Sequence, residues 1–266
     1  MLSSFFKPQP CLDEATTLWV FDSYEWALSH FDSEAFKQNT QLILPTSEFF
    51  PGKVASIEEM AQTVFDKTLQ YSGMTNWPIK LVSPVVYHQN PNLHNMPKLQ
   101  FKGAIRSDKV EVFSADFSQV ASNTIYVSYN PNQINQPQDL IASYAQAFAA
   151  ILITQRGVLP PGGEQFMPQA IDLVASFMGF GVMFANTAYQ FKGGCGSCYN
   201  KYANREAALP ENEMVYCLAM FSVLKSIPVK QVTLHLKPHL RSSFKKAYKE
   251  LEGKRKTQEL PLLSLV

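Results

Sequence analysis

Cysteine is scarce. Four residues, Cys11, Cys195, Cys198 and Cys217, are scattered over 266 positions, which excludes a disulfide framework as the basis of the fold. Charge of one sign is also missing: 23 Lys and Arg face 22 Asp and Glu, a net +1. A balance so even gives no whole-molecule field for nucleic acid or an acidic substrate. The longest apolar run, Leu173–Ala185, is shorter than the ~20 residues a membrane span needs. The opening residues MLSSFFKPQPCLDEA lack the apolar segment and small-residue cleavage site of a secretory signal. P-loops, dinucleotide fingerprints and nucleophile elbows do not occur. The expectation is a cytoplasmic protein with no cofactor, no nucleic-acid partner and no membrane attachment.

What remains is a chain with 46% hydrophobic and 12% aromatic residues, enough for a sizeable core. A helix is predicted over Asp13–His30, followed by a short buried strand, Gln41–Leu44, stopped by Pro45. The loop Pro45-Thr-Ser-Glu-Phe-Phe-Pro-Gly52 sets Phe49 and Phe50 beside Glu48 between two prolines. It reads either as a stiff turn plugging the core or as a loop lining a cleft. Ser56-Ile-Glu-Glu59 is a capping box, starting a helix that Gly73 stops. Strands are predicted over Ile79–Tyr87, interrupted by Pro84, and over Val110–Phe113 and Thr124–Tyr129. The polar HQNPNLHNMPKLQFKG between the first two reads as a long loop.

The second half is helical. Pro137 suits the first turn of a helix over Gln138–Gln155, QDLIASYAQAFAAILITQ. RGVLPPGG breaks the chain before an apolar helix, Met167–Tyr189, in which Asp172 is the exception. A buried carboxylate needs donors, and backbone or hydroxyl groups of a neighbouring helix are the expected ones. Gly179-Phe-Gly181 lies within this helix as a packing feature. A Gly-rich link with Cys195-Gly-Ser-Cys198 leads to helices over Asn212–Lys225 and Pro238–Glu252. The last carries a solvated basic face of Arg241, Lys245, Lys246 and Lys249. The fold class is α+β: one domain with a small N-terminal sheet packed on a mainly helical C-terminal half. Its mixed part spans residues 1–135, its helical part 136–256, and a tail 257–266.

The chemistry-bearing residues are few. An HExxH helix places two imidazoles one turn apart on one metal, with a glutamate beside them to take a proton from water. Set against that pattern, Gln146 takes the first histidine's place, Ala147 the glutamate's and Ala150 the second histidine's. Neither alanine ligates a metal or moves a proton. His235 and His239 are separated by Pro238, and His88 and His94 have no carboxylates patterned around them. Cys195 and Cys198 have the spacing of a redox pair or of half a zinc knuckle.

The chain resembles an uncharacterised family of bacterial proteins that carries a zincin-like HExxH helix. The resemblance rests on Pro45-Thr-Ser-Glu-Phe-Phe-Pro51, Gln70-Tyr-Ser-Gly-Met74, IYVSYN, Ile171-Asp-Leu173 followed by MGFGVMFAN, and Leu218-Ala-Met-Phe221, in that order over roughly residues 40–250. It implies a zincin-like fold with a sheet edge over the central helix and Asp172 turned towards Gln146. Pro168 stands where an acidic third ligand would be expected, with Glu164 nearby. The resemblance therefore implies vestigial metal-site positions at Gln146, Ala147, Ala150 and Asp172, no catalytic residues, and a cleft free for a peptide or protein partner. Two alternatives stay open: a hydrolase with a site rebuilt from Glu164, Asp172 and a C-terminal histidine, and a metal or redox site at Cys195 and Cys198.

Overall fold

The computed structural model describes residues 9–52, 55–106, 123–188, 202–259 and 262, and the backbone of 111–114. Cys195 and Cys198 lie outside the described residues. Local signals start several of the helices. Asp13 caps α1 (Glu14–His30) by accepting from the Thr16 N–H at 2.9 Å. Ser56 caps α3 (Ile57–Tyr71) through the Glu59 N–H, and the Glu59 carboxylate returns to the Ala55 N–H. A short α2 (Ser33–Gln38) lies between them. Pro137 opens α5 (Pro137–Arg156), which Gly157 ends in the left-handed conformation, φ 67°.

Strand β1 (Ile79–Val82) is shorter than its sequence suggests, because Ser83 caps a helix that begins at Pro84, α4 (Pro84–Gln89). Proline without an N–H ends the ladder here and suits a first helical turn. The stretch expected to be one long loop holds a 3₁₀ turn, Pro91–His94, and a strand, β2 (Leu99–Lys102). That strand pairs antiparallel with β3 (Glu111–Ser114), while β1 pairs in parallel with β4 (Ile125–Ser128). Among the described residues the expected single sheet is thus two separate two-stranded ladders. β4 packs mainly on β1, α4 and the Pro91–His94 turn.

Most of the fold is helical, and its centre is α5 against a long apolar rod, α6 (Met167–Ala175) and α7 (Gly181–Thr187). Both pack with α8 (Glu211–Leu224), whose outer side is covered by α10 (Leu240–Lys256), after a short α9 (Val229–Thr233). α10 extends beyond its expected end at Glu252 and exposes Arg241, Lys245, Lys246 and Lys249. One hydrophobic cluster runs from Val20 to Leu262. The helical stretch Glu164–Thr187 is long and apolar enough to cross a membrane, but 94% of its apolar window is buried inside the protein, as in a core helix.

α6 and α7 are joined by a π-helical turn, Ser176–Phe180, where Gly179 takes φ 103°. The reason lies in the segment predicted as a strand at Gln41–Leu44. It is extended and largely buried but joins no ladder; instead the Ile43 N–H donates to the Gly179 carbonyl at 3.0 Å. A Cβ on Gly179 would stand 2.1 Å from the Gln41 oxygen. Only glycine allows this crossing.

Candidate functional site

α5 buries all but one stripe of its middle. Ser143, Gln146, Ala147 and Ala150 are half-buried and Thr154 is exposed, while the residues between them are buried. Offsets of 3, 4 and 7 place the first four on one helical face. The positions read against HExxH therefore share the one face of the central helix that solvent reaches. Gln146 offers an amide there, and Ala147 and Ala150 leave space.

Gln146 reaches inward with its nitrogen. Its Nε2 donates to Asp172 Oδ1 at 3.0 Å and to the Glu206 carbonyl at 3.2 Å. Both partners are acceptors, so the amide orientation follows from the network. Asp172 is 0% exposed and sits on α6, which packs along α5.

Its carboxylate is fully engaged. Oδ1 accepts from Gln146 and from Arg205 Nη1 at 2.8 Å; Oδ2 accepts from the backbone N–H groups of Ala208 at 2.9 Å and Leu209 at 3.1 Å. Four donors meet about four lone-pair positions. The backbone donors come from the connection before α8, and the main counter-charge is an arginine that sequence reasoning missed.

Arg205 is buried, with its guanidinium carbon 4.1 Å from the Phe184 ring centroid. Its Nε donates to Thr187 Oγ1 at 3.3 Å, and Nη1 also reaches the Glu206 carbonyl at 3.3 Å. Its backbone N–H donates to Asp139 Oδ1 at 2.8 Å. Burial pushes the Asp139 carboxyl up from the ordinary range, opposed by that N–H and by Asn204. Among the described residues Arg205 Nη2 has no partner. The signal that could have revealed Arg205 is Asp172 itself: a carboxylate in an apolar helix calls for a cation, and Arg205 lies in the connection to the next apolar helix.

The other candidates do not join this network. Glu164 is exposed in a 3₁₀ turn; His239 contacts Glu211 at 3.0 Å; the His235 carbonyl accepts from Asn186. Among the described residues no three of His, Cys, Asp or Glu converge as metal ligands would. Phe49 and Phe50 are half-buried, each edge-on to Tyr71, whose hydroxyl donates to the Phe49 carbonyl at 2.7 Å; Glu48 is exposed. The loop is neither a full plug nor a free rim. Comparison with protein-family models, curated proteins and solved structures finds no match to this chain.

Proposed function

We propose that this is a cytoplasmic, non-catalytic binding protein built on a zincin-like scaffold, in which a buried ion pair has replaced a metal. One observation carries the reading: four donors fill the Asp172 carboxylate, and the strongest is the Arg205 guanidinium. A guanidinium is permanently charged and supplies in-plane donors suited to a carboxylate. It satisfies electrostatically what a cation would, without Lewis acidity and without a water to activate. Ala147 offers no base in the place where a hydrolase needs one.

The same stripe of α5 gives a binding role its chemistry. Both amide protons of Gln146 are committed, while its Oε1 has no protein partner among the described residues. Beside it Ala147 and Ala150 admit the close approach of an extended peptide, whose backbone N–H would find an acceptor in Gln146. The partner proposed is therefore a peptide or protein segment. The test incubates the wild-type chain with denatured casein, with and without added zinc, and reads new termini by mass spectrometry. No cleavage is expected in either arm. Cleavage by the wild type that Gln146→Ala abolishes would overturn the reading.

A further inference from the structure

The far end of α5 borders a second feature, ten residues and ~15 Å along the helix from Gln146. An open cleft of about 550 Å³ lies between the end of α1, α2, the turn at Gly103 and Ala104, and Arg156. That volume falls within the ~300–1,000 Å³ of small-molecule sites. Its charged lining consists of His30, Asp32, Glu34, Arg106 and Arg156.

The two acids are already engaged. Asp32, at φ 61°, accepts with one oxygen from the backbone N–H groups of Ile105 and Arg106. Glu34 pairs with Lys37 at 3.5 Å and accepts from Gln38 at 3.0 Å. The cationic groups are not so committed. Among the described residues the Arg156 guanidinium has no acceptor and the His30 ring has only an edge contact with Trp26. Buried Arg106 donates to the Ser72 and Phe31 carbonyls and to Thr40 Oγ1; that uses three of a guanidinium's five N–H groups. His30 and Arg156 line the same cleft; burial and the Arg156 charge lower the His30 pKa, an effect that an anion bound in the cleft would offset. We propose that this cleft binds a small organic molecule carrying a phosphate or carboxylate, with Arg156 as the fork that grips the oxyanion and His30 as the second donor.

The test follows the His30 ring by NMR in the isotope-labelled full chain, at constant ionic strength, with inorganic phosphate in one arm and citrate in the other. His30→Gln assigns the resonance among five histidines. A saturable shift is expected in at least one arm, with the His30 pKa raised by about half a unit or more at saturation, since an anion favours imidazolium. The responding arm identifies the oxyanion. Arg156 is exposed, so Arg156→Gln keeps the fold and should weaken binding about tenfold. Arg156→Lys should fall between, and Lys245→Gln on α10 should change nothing. A shift that rises linearly in both arms, or that is the same in Arg156→Gln, overturns the proposal.

Discussion

Asp172 and Arg205 form a pair whose removal is asymmetric. Their side chains are 0% and 1% exposed. Taking away one partner of a buried pair leaves the other charge without compensation, at about 3–5 kcal/mol. Arg205→Met should therefore lose that much in urea unfolding. Asp172→Leu combined with Arg205→Met should recover part of the loss, because the charge is gone but the Ala208 and Leu209 N–H groups stay unpaired. A double variant no more stable than Arg205→Met alone would show that the carboxylate is not what the arginine serves. Cys11 gives a second measurement at this scale. Burial pushes its thiol up from 9.0 to about 11, and a hydrogen bond to Glu250 acts the same way. At pH 8 the thiolate fraction falls about 100-fold against an ordinary thiol. Iodoacetamide should label Cys11 in the native chain that much more slowly than in urea, as peptide mapping would read.

Elements carry two further expectations. Gly179→Ala forces a side chain into a left-handed site and against the Gln41 oxygen; strain and crowding together should cost about 3 kcal/mol. A neutral Gly179→Ala would mean that the Gln41–Leu44 segment does not cross there. Phe50→Ala should cost less than the ~3–5 kcal/mol of a core truncation, because the ring is only half-buried. Much of the helical layer was legible: the Ser56 capping box, Pro137, Gly73 and the break at RGVLPPGG are local signals, and local signals are what sequence displays. Gln41–Leu44 was misread for the opposite reason. Its buried apolar residues look like a strand, but its N–H partner is a helix carbonyl more than a hundred residues away. β2 was hidden because Leu-Gln-Phe is a short run inside an Asn- and Pro-rich context, and its pairing with β3 is non-local.

Across the whole molecule, the site was half legible. Asp172 stands out in an apolar helix and Gln146 stands out against HExxH, so their meeting at 3.0 Å follows from two packed helices. Arg205 did not stand out, because an arginine in a Gly-rich connection looks solvated until the chain folds it beneath Phe184. The cleft at Arg156 had no sequence signature, since its lining comes from three separate stretches. The proposed zincin-like scaffold turns on whether the guanidinium occupies the place of a metal. Elemental analysis of the wild-type chain, purified without added metal or chelator, addresses that most directly. The account predicts far less than one zinc per chain; near-stoichiometric zinc that survives dialysis would contradict it.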